Sequence, residues 1–262
     1  MPKFAANLSF QFQDIDFLER FAAAADCGFQ AVEYLFPYDY PPGQIKETLA
    51  AHGLVQALFN SPPGDWDAGE RGLAALPGRE AEFREAVEKA GEYAEALACK
   101  QVHVMAGLVP EGAEWGAYED CYVANLSYAV NYFAERGVRT LIEPLNSFDM
   151  PGYLLNGSKQ ARRVIEAVGS DNLFLQYDVY HLQIMEGNLA YSFKRDLDII
   201  SHVQIAGVPG RFEPTVGEIN YPYLFALIDR LGYDGWVGCE YRPEGDTRAG
   251  LGWAGEYGIG GG

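Results

Sequence analysis

Residues 138–146 read VRTLIEPLN. A β-branched, apolar run ends in a glutamate, and a proline follows it directly. Val138–Ile142 has the composition of a buried strand. Proline has no N–H to give a sheet ladder, so Pro144 ends that strand and leaves Glu143 as its last residue. A carboxylate in that place is expensive unless it is paired, bound to a cation or solvated.

The same punctuation recurs downstream. LFLQYD ends in Asp178, SHVQ in Gln204 and WVGCE in Glu240, each one strand–helix unit beyond the last. Working outward from these, strands are expected at Lys3–Ser9, Gln30–Tyr34, Leu54–Asn60, Gln101–Met105, Thr140–Glu143, Leu173–Asp178, Ser201–Ile205 and Trp236–Glu240. Helices are expected at Asp14–Cys27, Pro42–His52, Arg79–Ala98, Trp115–Glu135, Ser158–Ala167, Asn188–Leu197 and Tyr221–Leu231. Asp14 or Asp16 would cap the first of these and Gly28 close it. Eight strands alternating with helices, without a linker or a shift in composition, predict an α/β fold, a single (β/α)8 TIM barrel. It covers residues 1–255, and residues 256–262 form a glycine-rich tail expected to be mobile. A doubly wound open sheet is the weaker alternative, because no GxGxxG follows an early strand.

The chain has 262 residues and a formal charge of −18, a field that repels phosphate backbones and anionic membranes. Neither nucleic acid nor membrane is therefore an expected partner. The N-terminus lacks the basic and apolar segments of a signal peptide, and no apolar run is long enough to span a bilayer. Cys27, Cys99, Cys121 and Cys239 are widely spaced and form no CxxC pair. They read as reduced structural thiols of a cytoplasmic protein.

In a parallel barrel, Glu143, Asp178, Gln204 and Glu240 stand at the ends of four successive strands, on the face where βα loops build active sites. Alternation along the strands puts Leu141 on the side of Glu143, Gln176 on that of Asp178 and Gly238 on that of Glu240. Carboxylates crowded there raise one another's pKa unless a cation neutralises them. All-oxygen ligation suits Mg²⁺ or Mn²⁺ better than zinc. Solvated carboxylates on a barrel rim are the alternative for any one of these residues, but a poor account of all four together.

The motifs LIEPLN, QYDVYH, HVQIAG and GYDGWVGCEYRP resemble those of the xylose isomerase-like barrels. Within them the chain is similar to the family of hydroxypyruvate isomerase and its 2-oxo-tetronate isomerase relatives, from NLSF near the start to EYRP near the end. The resemblance implies a metal-assisted aldose–ketose type isomerisation of a small hydroxy-oxo acid through a metal-stabilised enediolate. It places Glu143, Asp178, Gln204 and Glu240 at the metal-binding positions, with Glu143 and Glu240 also the paired proton-transfer carboxylates. Gln204 departs from the sugar-epimerase branch, which carries histidine there; weaker metal affinity is one consequence. Independently of the family, moving a carbonyl to its neighbour needs a group to remove an α-proton and another to return one, which suits two carboxylates.

His181 is implied as a substrate contact, with a loop histidine bonded to backbone as the alternative. Arg211, after strand seven, offers a bidentate fork for a substrate carboxylate. Asn7 and His103 join the expected substrate contacts, and Glu33 the polar lining. His202 is expected below the site as a satisfied core histidine, and His52 at a helix end on the surface. The aromatic EYLFPYDY reads as an apolar wall or lid, or as packing against a second copy in a homo-oligomer. Competing functions are a sugar epimerase, an inosose dehydratase-like enzyme, a DNA-repair phosphodiesterase and a non-catalytic small-acid binding protein.

Overall fold

The computed structural model describes residues 1–215 and 217–260. Eight parallel strands close on themselves: β1 Lys3–Asn7, β2 Ala31–Glu33, β3 Val55–Asn60, β4 Gln101–His103, β5 Arg139–Ile142, β6 Leu173–Asp178, β7 Ile200–Gln204 and β8 Trp236–Cys239. Neighbours in sequence are neighbours in the barrel, and β8 returns to β1 with Ala5 opposite Gly238. The helices are α1 Glu19–Asp26, α2 Pro42–His52, α3 Glu80–Ala96, α4 Trp115–Ala134, α5 Ser158–Val168, α6 Val179–Met185, α7 Leu189–Asp196, α8 Tyr221–Arg230 and α9 Thr247–Gly250, followed by a 3-10 turn at Leu251–Tyr257. This is the expected (β/α)8 barrel.

Three local expectations change. The first helix starts at Glu19, not Asp14, and no side chain caps it. Arg20 instead spends its guanidinium on the carbonyls of Leu8 and Ile15, which holds the preceding residues in turns. The QYDVYH segment is not a loop: α6 follows β6 without a break, and Asp178 caps it by accepting the Tyr180 N–H at 2.7 Å. Its seven residues are too few for a helical period to show in sequence. Glu143 and Glu240 each stand one residue beyond their strands, because the short β4 ladder ends at the His103–Leu141 pair and the β7–β8 ladder at Gln204–Gly238.

The C-terminal segment packs on the barrel. Trp253 and Tyr257 meet Phe4 edge-on with ring centroids 5.1 and 5.0 Å away. Ile259 is buried and the Gly260 N–H donates to the Cys27 carbonyl, so the tail expected to be mobile is docked this far. Gly261 and Gly262 lie outside the described residues.

The interior of the barrel positions the site. Side chains pointing out from the strands, such as Phe4 and Val32, join the helices in the main apolar core. Inside, Ala5, Ala31 and Ala57 form a small separate cluster, and Gly238 adds no side chain at all. Barrels of this kind are ordinarily filled by Val, Ile and Leu. The small residues on β1, β2, β3 and β8 here leave room for buried Glu33, Gln101, His202 and Gln204.

Candidate active site

Glu143, Asp178, Gln204 and Glu240 all come to the C-terminal face of the barrel, and all are buried. Glu143 Oε1 and Asp178 Oδ2 have no hydrogen-bond partner among the described residues. A buried carboxylate oxygen without a donor costs folding energy, so these two atoms are set for something other than stability. Burial, with Glu240 and Asp178 close by, pushes the Glu143 carboxyl well above the usual range. Burial lifts Asp178 to about 6, against the pull of Arg211. Glu240 rises to about 8, again through burial opposed by Arg211.

Arg211 is the cation among them. It sits on the loop after β7 with a left-handed backbone (φ 58°), and its Nη2 donates to Glu240 Oε1 at 2.8 Å. The same nitrogen is 3.8 Å from Asp178 Oδ2, and the guanidinium lies over the rings of Phe10 and Tyr180 at 4.9 and 5.0 Å. Among the described residues, Nη1 has one ion-pair partner, Asp149 at 3.9 Å, and no hydrogen bond. That edge can receive an anion.

His181 rides on α6 and is held by Asn146, a residue of the LIEPLN motif to which the sequence assigns no role of its own. The Asn146 backbone N–H and its Nδ2 both donate to His181 Nδ1, at 3.1 and 2.7 Å. The Asn146 amide is itself fixed, since its Oδ1 accepts the N–H groups of Phe148 and Asp149. Burial pushes the His181 pKa well down, so the ring is neutral and carries its proton on Nε2, 3.6 Å from Asp178 Oδ2. Ligand atoms of Glu143, Asp178 and His181 lie within 4.8 Å of one another. With a proton on Nε2, however, His181 has no lone pair to give a metal, and its role is that of a donor.

His103 ends β4 with Nδ1 3.2 Å from Asn60 Oδ1 and 3.6 Å from Glu143 Oε2, while Nε2 is unpartnered. Burial lowers its pKa to about 3, so it too is neutral. Asn7 donates to Glu33 Oε1 at 2.9 Å and accepts from the Ser9 N–H. Among the described residues, one amide hydrogen and one lone pair stay free for the expected substrate contact. His202 is fully buried and bonded through both ring nitrogens, as expected of a core histidine. In the aromatic segment, Phe36 packs on Trp66 and Tyr38 on Phe59 and Tyr93.

The oxygen donors fit a divalent cation. Two are carboxylate oxygens of Glu143 and Asp178 with no partner among the described residues, and Gln204 pairs with Asp178 in register on the adjoining strand. Glu240 stands apart from that group, its Oε1 taken by Arg211.

A closed parallel barrel with buried, unpartnered carboxylates at the C-terminal ends of its strands is the architecture of an enzyme site. Residues 21–257 match the family described as xylose isomerase-like TIM barrel. The chain is 55% identical to 2-oxo-tetronate isomerase of Cupriavidus necator, over 98% of this chain and 99% of that protein. It is 49% identical to hydroxypyruvate isomerase of Escherichia coli, over 98% of this chain and 100% of that one. A crystal structure described as AP endonuclease, family 2, from Brucella melitensis matches with a TM-score of 0.97 at 49% identity, covering 98% of this chain and 99% of the other. The chain belongs to the hydroxypyruvate isomerase and 2-oxo-tetronate isomerase family of xylose isomerase-like TIM barrels.

Proposed function

We propose that the protein interconverts hydroxypyruvate and tartronate semialdehyde, or the analogous 2-oxo- and 3-oxo-tetronate pair, by proton transfer between Glu143 and Glu240. The observation that carries this reading is the pair itself. Two buried carboxyls, both held above their usual range, face one site from strand ends separated by β6 and β7. Glu143 Oε1 has no partner among the described residues, and Glu240 is joined to Arg211. The names of the relatives supply the substrate class.

In the forward direction one carboxylate removes the proton from C3 of hydroxypyruvate, giving an enediolate. The other, protonated, returns a proton to C2 on the far side, while the hydrogen on the C3 oxygen is exchanged for one on the C2 oxygen. Such acid–base work contributes about 10²–10⁴-fold each. The raised pKa values suit it, since one member can hold a proton near neutral pH while its partner accepts one. The Nε2–H of His181 is placed to donate to a substrate oxygen, and the free edge of Arg211 to bind the substrate carboxylate. The unpartnered Nε2 of His103 offers a further contact at the rim. Glu143, Asp178 and Gln204 would hold a divalent cation, Mg²⁺ or Mn²⁺, with Glu240 completing the set through Oε2, the oxygen Arg211 does not take, once its side chain turns toward them. When bound, the ion supplies Lewis-acid stabilisation of negative charge on the substrate oxygens. Four free thiols accord with a cytoplasmic setting.

The name carried by the Brucella protein raises DNA repair as a second reading. A charge of −18 and a site with two histidines beside three carboxylates speak against a basic groove with several zinc ions. Purified protein supplied with Mg²⁺ or Mn²⁺ should turn over at least one of a panel of three- and four-carbon hydroxy-oxo acids. No turnover across the panel, or chelator-sensitive nicking of abasic DNA at physiological salt, would overturn the isomerase reading.

A further inference from the structure

We propose that Glu33 is a positioning residue that fixes which end of the Gln204 amide faces the site, as the acceptor on which two runs of hydrogen bonds along the barrel converge. The proposal rests on the reading of Gln204 as an oxygen donor in the site.

An amide has two ends of nearly equal shape, and only the oxygen can serve a cation or accept from a hydroxyl. Nothing in the shape of glutamine decides between them. The chain beneath it does. At the bottom of the barrel Arg139 Nη1, which can only donate, gives to Ser201 Oγ at 3.1 Å. Ser201 passes its own hydrogen to Gln101 Oε1 at 2.9 Å. Gln101 Nε2 then donates to the Ala57 carbonyl at 3.0 Å, an acceptor only, which fixes the same orientation independently. That nitrogen also meets His202 Nδ1 at 3.1 Å, so the imidazole accepts there and carries its hydrogen on Nε2. His202 Nε2 gives to Glu33 Oε2 at 2.6 Å. Glu33 Oε1 accepts from Asn7 Nδ2 and from Gln204 Nε2, each at 2.9 Å. Gln204 is left with its oxygen at the other end, where Gln176 Nε2 reaches it at 2.6 Å.

A flipped Gln204 would set its oxygen against Glu33 Oε1, acceptor on acceptor, and leave buried groups unsatisfied. Gln176, whose Oε1 has no partner among the described residues, can turn its amide to suit either orientation, so Glu33 decides it. The fold also makes space for the carboxylate. Gly238 lies opposite Gln204 across the β7–β8 ladder, and a Cβ there would fall 2.2 and 2.3 Å from the two Glu33 oxygens. Glycine at 238 is thus the slot in which Glu33 sits. A partner that orients a ligand is typically worth about 10–100-fold in metal affinity.

The test is a double-mutant cycle on Mn²⁺ affinity, read by EPR or calorimetry with no substrate present. Glu33→Gln should lower affinity by about 10–100-fold in the otherwise native protein. In a Gln204→Ala background the same substitution should change nothing, because the group it orients is gone. Gly238→Ala, which crowds Glu33 and removes no polar atom, should repeat the loss. Equal losses in both backgrounds, or no loss in the native one, would show that Glu33 acts only as structure and overturn the proposal. The native protein itself provides the check that survives misfolded variants or a failure to bind Mn²⁺. The side-chain amide resonance of Gln204, identified by its disappearance in Gln204→Ala, should show a slowly exchanging, hydrogen-bonded proton. A freely exchanging amide would refute the positioning role, whereas absent Mn²⁺ binding with a protected amide would count against the metal reading alone.

Discussion

Glu33 and Glu143 are both buried glutamates at the ends of barrel strands, and their surroundings are opposite. Glu33 accepts three hydrogen bonds, from Asn7, His202 and Gln204, at 2.6–2.9 Å. Glu143 keeps one oxygen without a partner among the described residues and has further carboxylates for neighbours. The β2 side of the barrel uses buried charge as a satisfied structural hub, while the β5–β6 side stores an unsatisfied one. The difference separates what holds the site from what acts in it.

The sharpest way to break that contrast is to neutralise each side in turn. Glu143→Gln and Glu240→Gln keep side-chain shape but cannot accept an α-proton, so each should lower kcat by about 10²–10⁴-fold. Acting as a pair, they should combine to little more than the slower single variant. Either variant keeping more than about a tenth of native turnover would contradict the two-carboxylate mechanism.

Stability should move in opposite directions for the two glutamates. In metal-free protein at mildly alkaline pH, Glu33→Gln disturbs a satisfied hub and should cost about 1–3 kcal/mol, lowering the Tm by roughly 5 °C. Glu143→Gln removes a charge the fold does not pair, and should raise the Tm by a few degrees, of the order seen when functional strain is relieved. Thermal melts of the two variants side by side decide this; the same sign for both would dissolve the distinction.

Metal should erase part of it. Mn²⁺ at about 100 times its Kd stabilises by about 2.7 kcal/mol, which predicts a Tm rise of roughly 5–10 °C for a chain of this size. The rise should vanish in Asp178→Asn.

A smaller effect is the pH dependence of the metal-free protein. The folded-state pKa of Glu240 is raised from 4.5 to about 8, so the fold favours its protonated form. The stability this contributes is fully present below 4.5 and is lost as pH rises through about 8. Melts between those limits should therefore fall less steeply in Glu240→Gln than in the native protein. Last, Glu244→Gln alters an exposed carboxylate four residues past Glu240 and should leave turnover within a few-fold.

The barrel was legible because strand ends announce themselves: Pro144 stops β5, and each acidic or amide residue closes an apolar run. For the same reason Glu143, Asp178, Gln204 and Glu240 could be named before any geometry. What sequence did not carry was partnership. Arg211 and Glu240 are brought together only by the loop after β7, and Asn146 reaches His181 only because α6 follows β6 directly. The chain from Arg139 to Gln204 links four strands, and no local pattern marks a contact between Glu33 and His202. Asn7, expected at the substrate, also donates to that hub, a bond no sequence pattern marks.

The central claim is that one carboxylate removes a proton and a different one returns it. Hydroxypyruvate or 2-oxo-tetronate converted in D₂O, with the product examined by ¹H NMR and mass spectrometry before it reverts, tests this directly. Protons held on carboxyls exchange with solvent between turnovers, so the acid that delivers to C2 arrives carrying deuterium. Product bearing one solvent deuterium at C2 from its first turnover is the expected result. Product that retains the substrate hydrogen at C2, as in a direct hydride shift or transfer by one shielded base, would contradict the account.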